Sequence, residues 1–199
     1  MSNRPSTDKY SRRRLEILMA AASVIAEKGF HGCRTQDIAD RLNLKQASLY
    51  YYFPTKESAL EAVCLYAVEE STNRLRQITQ NTGAPLADQI HAVIHAYLHD
   101  LDTHRDCMIV LAEQRRYLGR DQQVAVRTQT REYRALLEQM LEDARADGQL
   151  SADIDCQLAV RALIDLCHCA ALRLQRNPGH DATYIIDQYS RLFCKGIER

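Results

Sequence analysis

The chain has 199 residues, of which 46% are hydrophobic and 26% are charged, a composition typical of a globular protein that buries its own core. Only 7 glycines and 4 prolines are present, which argues against an all-β fold with many tight turns. The net charge is zero but uneven: residues 1–60 hold 10 basic and 6 acidic side chains, and the remainder hold 16 and 20. Only the N-terminal part is therefore expected to approach an anionic partner.

The seven cysteines are an odd number and include no Cys-x-x-Cys pair, so they indicate reduced thiols rather than a disulfide framework. Cys64, Cys167 and Cys169 lie in apolar stretches and are expected to be buried. No stretch approaches the ~20 apolar residues that a transmembrane helix needs. We expect a cytoplasmic protein with no membrane partner.

The first helix is predicted after a polar N-terminus. Residues 1–10 show no hydrophobic periodicity and are expected to form a disordered basic tail. Apolar residues then recur at helical spacing from Leu15 to Ala26, and Gly29 is a typical C-terminal stop. Basic side chains cluster in this region at Arg4, Lys9, Arg12, Arg13 and Arg14. They can neutralise phosphates or remain solvated, and both interpretations stay open.

Two short helices joined by a tight corner follow. Thr35 is a suitable N-cap for the first of them, and Asn43 suits the corner because asparagine tolerates a left-handed backbone. The second helix is predicted over residues 46–52, and Pro54 prevents its continuation. This is the helix-turn-helix arrangement, in which the second helix enters the major groove of DNA. Residues 11–56 are therefore predicted to form a DNA-binding domain.

The rest of the chain carries only helical patterns, interrupted by glycine- and proline-containing breaks near residues 83–85 and 177–179. Further helices are predicted over residues 55–80, 86–101, 106–117, 121–148, 153–175 and 181–197. The predicted fold is all-α, with about nine helices and no strand.

The second short helix carries side chains suited to DNA. Gln46 can pair with an adenine edge, Ala47 permits close approach to a thymine methyl group, and Ser48 can donate to several bases. The three tyrosines at 50–52 offer hydroxyls to phosphate oxygens. Lys56, in the first turn of the next helix, adds a cation beside free backbone N–H groups. A small aromatic core is the alternative, but three consecutive tyrosines cannot all point inward from one helix.

The segment TQDIADRLNLKQASLYYYFPTKESAL, residues 35–60, resembles the signature of the TetR family of bacterial transcriptional regulators. The family pattern is T-x-x-x-I-A, then a corner, then L-Y-x-x-F-x-x-K, and this segment contains all three parts. The likeness extends over residues 15–60. The resemblance implies a homodimeric repressor of double-stranded operator DNA, with a three-helix head and no cofactor. It departs from the family at the corner, where Asn43 replaces the usual glycine, and at Lys45, where the family often has a Ser or Thr cap.

The resemblance also implies roles for individual residues. The implied phosphate contacts are Thr35, Tyr50 and Lys56. The implied base contacts are Gln36, Gln46, Ala47 and Ser48, and Tyr51 and Tyr52 are expected to border the groove. Lys45 is also expected to be a DNA-binding residue.

Residues 57–199 are implied to form a ligand-binding and dimerisation domain. The candidate effector contacts are residues predicted to face inward. They are Val68, Tyr97, Leu101, Met108, Leu111, Tyr133, Met140 and Leu166. The last two helices carry more apolar surface than one chain can cover, which predicts a homodimer formed through residues 153–197. This part also resembles, more diffusely, a TetR branch that responds to acyl-CoA thioesters. The arginines at 115, 116, 120, 127, 131 and 134 could contact phosphates or form a solvated face.

A metal- or thiol-responsive regulator is the alternative. His91, His95 and His99 stand one helical turn apart and could share a metal, although they lie opposite the apolar face of their helix. The cysteines could sense oxidants, although packing as small apolar groups is the simpler interpretation. The sequence contains no G-x-S-x-G, H-E-x-x-H or phosphate-binding glycine motif, so no enzymatic activity is predicted.

Overall fold

The structure is a computed structural model that describes residues 5–80, 83–176, 179 and 181–197. Over these residues it contains nine α-helices and no β-strand, which confirms the predicted all-α fold. The helices are α1 Pro5–Gly32, α2 Thr35–Arg41, α3 Gln46–Tyr52, α4 Lys56–Thr79, α5 Leu86–Thr103, α6 Arg105–Ile109, α7 Arg120–Ala146, α8 Cys156–Arg176 and α9 Ala182–Ile197. Within the described ranges, none of the helices combines the length and apolarity needed to cross a bilayer.

The structure divides into two compact units. The first joins residues 1–68 to residues 104–129, and the second joins 69–103 to 130–199. The sequence predicted a boundary at residue 56 instead. The start of α4 and residues 104–129 group with the DNA-binding region because they bond to it and to each other: Gln122 Nε2, for example, donates to Glu61 Oε2 at 2.9 Å.

The first unit is built on α1, which packs against α2, α3 and α6. Its most deeply buried large side chains are Ile17, Val24, Ile25, Ile38, Leu49, Leu60 and Val63. Helix α1 begins at Pro5, within the stretch of residues 1–10 that the sequence predicted as a disordered tail; residues 1–4, including Arg4, lie outside the described part. Proline is tolerated in a first helical turn, and the Tyr10 ring, stacked on Tyr52 at 5.1 Å, anchors the helix start.

The turns of the first unit follow local sequence signals. Gly29, predicted to end the first helix, has φ 71° and forms a kink inside α1, and Asn43 has φ 53° at the corner. Thr55 and Ser58 form a reciprocal cap at the start of α4, with bonds of 3.0 and 3.1 Å. The predicted N-cap of α2 is wrong by one residue: Arg34 occupies that position, and its N–H donates to Asp37 Oδ2 at 2.7 Å.

The second unit has its own core, formed where α5 packs against α8 and α9. The deepest residues of this core are Ile90, Ile94, Leu137, Leu141, Leu163 and Ala170. Six of the seven cysteines are buried, but Cys169 is exposed, which corrects the expectation for that residue. Asp155 and Asp181 cap α8 and α9 through bonds to backbone N–H groups at 3.0 and 2.9 Å, so both helices begin later than predicted.

The region predicted as one helix over residues 106–117 consists of three short pieces. The α-helix α6 is followed by a π-helical turn, Val110–Gln114, and by a 3₁₀ turn, Arg115–Tyr117. Val110 and Gln114, the first and last residues of the π-helical turn, are both buried.

Candidate nucleic-acid interface

Helices α2 and α3 form a helix-turn-helix, as the sequence predicted. The corner is tied by the Leu44 N–H, which donates to the Ala39 carbonyl at 2.9 Å. Leu49 is only 1% exposed and packs α3 onto the unit, together with Ile38 of α2. One side of α3 is thereby buried, and its opposite side is left at the surface.

Most of the predicted DNA-binding residues lie on this open side. Six of the ten are exposed: Gln36, Lys45, Ala47, Ser48, Tyr50 and Tyr51. Tyr51 is the most open of them, with 72% of its surface exposed. Thr35, Gln46, Tyr52 and Lys56 are half-buried. Six of the ten lie on α3, Lys45 is its N-cap, and Thr35 is hydrogen-bonded to it, whereas Gln36 bonds Asp40 on α2 and Lys56 begins α4.

Three of these residues form a closed hydrogen-bond network. The amide nitrogen of Gln46 donates to Thr35 Oγ1 at 2.7 Å and to the Tyr50 hydroxyl at 3.3 Å. The hydroxyls of Thr35 and Tyr50 are themselves 3.2 Å apart. Because both amide protons of Gln46 are used inside this network, its carbonyl oxygen is the group that remains to accept a bond from a base.

An aromatic cluster joins the start of α1 to the end of α3. Tyr10 stacks on Tyr52, and Tyr10 and Tyr52 both meet the Tyr51 ring edge-on, at 6.0 and 5.1 Å. Sequence reasoning missed Tyr10, because it stands in a stretch without periodicity. The only signal was that Tyr10 is the sole aromatic residue before the apolar stripe of α1 begins.

The basic side chains before α1 are distributed over different environments. Lys9 is exposed, whereas Arg13 pairs with Glu16 at 2.5 Å and the Arg14 guanidinium lies 5.1 Å from the centre of the Phe53 ring. The interpretation of this cluster as a phosphate-binding arm stays a prediction.

Two other cations of the first unit are held by carboxylates. Arg41 bonds both oxygens of Glu27, at 3.1 and 2.6 Å, and Lys28 lies 2.9 Å from Asp37. The Arg41 hydrogen bond lowers the pKa of Glu27, and the Lys28 hydrogen bond lowers the pKa of Asp37. Both pairs join α1 to α2, so these cations stabilise the scaffold of the interface rather than extend it.

Lys56 does not face outward as the sequence predicted. Its ammonium group donates to the carbonyl oxygens of Phe30 at 2.7 Å and Cys33 at 3.1 Å, and it lies 4.4 Å from the centre of the Phe30 ring. An ammonium group has three protons, and two of them are engaged with the end of α1.

The candidate effector residues fall into both units. Val68, Met108 and Leu111 belong to the first unit. The other five belong to the core of the second unit or pack against it: Tyr97, Leu101, Tyr133, Met140 and Leu166. Burial raises the pKa of the Tyr97 and Tyr133 hydroxyls, which therefore stay neutral. Met140 also lines a cavity of about 410 Å³ with polar neighbours that include Gln89, Asp143 and Asp147.

The arginines of residues 115–134 lie at the surface. Arg116, Arg120, Arg127, Arg131 and Arg134 are all exposed, and Arg127 bonds Gln123 of its own helix at 3.2 Å. This exposure favours the interpretation as a solvated face.

The histidine stripe lines an open groove of about 460 Å³ in the second unit. His91 Nε2 lies 3.0 Å from Asp187 Oδ1, and the rings of His95 and His99 are 6.4 Å apart. No group of three metal-ligating side chains is close enough to hold an ion anywhere in the described part of the chain.

The buried cysteines are poorly suited to thiol sensing. Burial raises the pKa of Cys64, Cys107 and Cys167 to about 12, and it also raises the pKa of Cys33 and Cys156. These thiols are protonated at neutral pH, and the protonated form is a poor nucleophile. These five buried thiols therefore give the thiol-responsive alternative no support.

Helices α8 and α9 expose large apolar side chains. Leu158 and Leu172 on α8 are 60% and 50% exposed, and Tyr184 and Leu192 on α9 are 62% and 67% exposed. The remaining large apolar residues of these helices are buried or half-buried. Large apolar side chains that are exposed in this way are typical of a protein–protein interface.

The two units and the exposed second helix of the helix-turn-helix, the recognition helix α3, define an all-α DNA-binding protein of the helix-turn-helix class. Residues 17–63 match the family model of bacterial regulatory proteins of the tetR family, and residues 83–197 match that of the Tetracyclin repressor-like C-terminal domain. The chain belongs to the TetR family of DNA-binding transcriptional regulators.

Similar proteins agree over nearly the whole chain. The HTH-type transcriptional repressor KstR2 of Rhodococcus jostii strain RHA1 is 27% identical over 194 residues, which cover 96% of this chain and 94% of that protein. The structure of the TetR family regulator PfmR from Thermus thermophilus matches with a TM-score of 0.81 at 21% identity, over 92% of this chain and 99% of that chain. The Bacillus subtilis regulator FadR, solved in complex with stearoyl-CoA, matches with a TM-score of 0.76 at 19% identity, over 92% and 99% of the two chains.

Proposed function

We propose that this protein is a homodimeric repressor that binds a palindromic operator through α3 and is released from it by a small hydrophobic effector. The observation that carries the proposal is the polar, exposed side of α3, on which Ser48, Tyr51 and the network around Gln46 stand next to one another. A helix of this kind fits the major groove, and a two-fold dimer would place two copies ~34–36 Å apart.

The residues around α3 would divide into two groups. Gln46, Ala47, Ser48 and Gln36 would read base edges, and the Gln46 carbonyl oxygen would accept a bond from an adenine or cytosine amino group. The other group would contact phosphates or border the groove, and it contains Thr35, Lys45, Tyr50, Tyr51 and Tyr52. Lys56 is omitted, because its ammonium group is bonded inside the protein.

Dimerisation would bury the exposed apolar side chains of α8 and α9. The support for this step is the presence of Leu158, Leu172, Tyr184 and Leu192 at the surface. Two copies of one such surface would form a self-complementary interface around a two-fold axis. Size-exclusion chromatography with light scattering tests this step, with a mass of two chains as the expected result.

The effector is proposed to be an acyl-CoA or a related lipid catabolite that binds the C-terminal domain, residues 83–197. Support comes from the FadR structure, which was solved with stearoyl-CoA bound, and from the half-buried side chains of Tyr97 and Tyr133, which pack against the apolar core of the second unit. Effector binding would shift α4, which starts directly after the helix-turn-helix, and so change the separation of the two recognition helices.

Two titrations test the proposal. In the first, the full-length protein is added to fluorescent duplex DNA from upstream of its own gene and to a scrambled duplex of equal composition; tighter, salt-sensitive binding to the upstream DNA is expected. In the second, stearoyl-CoA, Zn²⁺ and Ni²⁺ are compared in a thermal-shift assay. Only the acyl-CoA is expected to raise the Tm and to release DNA, and stabilisation by a metal alone would overturn the proposed effector class.

A further inference from the structure

Phe30 stands at the point where α1 changes direction. The preceding residue, Gly29, has φ 71° and ψ 161°, so the helical hydrogen-bond pattern of α1 is interrupted there. The Phe30 N–H consequently needs a partner outside the helix, because Phe30 is only 4% exposed and water cannot serve it. That partner is the side chain of Gln114, whose Oε1 accepts the Phe30 N–H at 3.0 Å.

Gln114 reaches Phe30 from a distant part of the sequence. It is the last residue of the π-helical turn and is itself buried, and it lies within the residues that match the C-terminal domain of the family. The adjoining 3₁₀ turn adds ring contacts: Tyr117 stacks on Phe30 at 5.9 Å and meets His31 edge-on at 4.4 Å. The end of α1 is thus held from one side by residues 110–117.

Lys56 holds the same residue from another side. Its ammonium group binds the carbonyl oxygens of Phe30 and Cys33 and lies over the Phe30 ring. A cation at the C-terminal end of a helix is favourable, because the last carbonyl groups lack helical partners and carry partial negative charge. Both backbone groups of Phe30 are therefore bonded, the N–H to Gln114 and the carbonyl to Lys56.

These bonds lie close to the recognition helix, since Lys56 is the first residue of α4 and only residues 53–55 separate it from α3. We propose that Gln114 and Lys56 are positioning residues for DNA binding, which act through Phe30 to hold α3 in the orientation that fits the operator. Through Gln114, the part of this chain that matches the family's C-terminal domain would act directly on the DNA-binding helices. The inference rests on the proposed binding of operator DNA.

The first experiment replaces Gln114 and measures operator affinity with the full-length protein. Gln114→Leu removes the acceptor, Gln114→Glu keeps an oxygen at the same place, and Gln123→Leu is the matched control. Gln123 donates to the carbonyls of Leu118 at 2.9 Å and Arg116 at 3.5 Å and accepts from Arg127 at 3.2 Å, so the control also loses side-chain bonds, but none that involves α1. We expect roughly fivefold to tenfold weaker binding for Gln114→Leu, near-wild-type binding for Gln114→Glu, and no change for the control.

Two further readouts separate positioning from general damage. The Phe30 amide should exchange its hydrogen faster in Gln114→Leu than in the wild type, while amides of α5 keep their rates. The dependence of affinity on salt concentration should be unchanged, because no phosphate contact is lost. The proposed role of Gln114 would be overturned if Gln114→Leu bound the operator as tightly as the wild type does. It would also be overturned if Gln114→Glu lost as much operator affinity as Gln114→Leu.

Lys56→Met tests the second residue. A positioning lysine leaves the salt dependence of binding unchanged while affinity falls, whereas a lysine that contacts a phosphate lowers the slope by about one. A lowered slope, or unchanged affinity, overturns the role of Lys56. Failure of the wild-type protein to prefer its upstream DNA would instead refute the proposed function, so the two failures are distinguishable.

Discussion

The ion pair between Arg74 and Asp100 allows a quantitative prediction about stability. Arg74 Nε lies 2.6 Å from Asp100 Oδ1, and the carboxylate side chain is 4% exposed whereas the arginine side chain is 31% exposed. Removal of Arg74 leaves an enclosed negative charge without a partner. Neutralisation of Asp100 leaves a guanidinium group that water can reach, so the two substitutions should differ in cost.

Arg74→Met is expected to lower the free energy of unfolding by about 3–5 kcal/mol, the usual cost of breaking a buried pair from one side. Asp100→Asn keeps the shape and should cost only about 1–2 kcal/mol. The double variant should be more stable than Arg74→Met alone, since it contains no isolated buried charge. In a chain of this size each kcal/mol corresponds to roughly 2–4 °C in Tm.

The assay is urea unfolding of the full-length protein followed by circular dichroism, with calorimetry for the Tm. Arg76→Met is the matched control, because Arg76 lies on the same helix and pairs with Glu132 at the surface, where the two side chains are 42% and 53% exposed. Its cost should stay below about 1 kcal/mol. A larger loss in Asp100→Asn than in Arg74→Met, or equal losses in Arg74→Met and the control, would refute the reasoning.

Three further predictions concern the interface and the dimer. Gln46→Ala should cost ~1–3 kcal/mol and relax base choice at one position of each half-site, measured on a panel of singly substituted operators; uniform weakening across the panel contradicts the base-reading role. Tyr10→Ala should weaken operator binding severalfold while Tyr10→Phe preserves it, because the ring rather than the hydroxyl stacks on Tyr52; equal binding by both variants contradicts this. Leu158→Lys combined with Leu192→Lys should give a single-chain mass by light scattering and lose operator binding; a persistent dimer would place the interface elsewhere.

The elements that sequence reasoning predicted correctly depend on local interactions. Helical periodicity located α1 through α9 to within a few residues, except at the start of α1 and around α6. Gly29 and Asn43 adopt the positive φ values expected of a helix stop and a corner, because few other residue types tolerate that backbone. Leu49 lies on the apolar side of α3 and is buried, an outcome that depends on helical periodicity alone.

The features that could not be predicted depend on partners distant in sequence. Lys56 has the chemistry to bind either a phosphate or a carbonyl oxygen, and only the fold brings the carbonyls of Phe30 and Cys33 within its reach. Gln114 belongs to a stretch with an ordinary amphipathic pattern, which gives no sign of a π turn. The grouping of residues 104–129 with the first unit has the same origin, since it depends on contacts such as that between Gln114 and Phe30.

The most direct test of the central claim is a competition titration of the full-length protein between its own upstream duplex and a scrambled duplex at physiological salt. The account predicts a preference of at least about a thousandfold for the upstream duplex and saturation at two chains for each palindromic site. Equal affinity for the two duplexes, or saturation at one chain for each site, would contradict it.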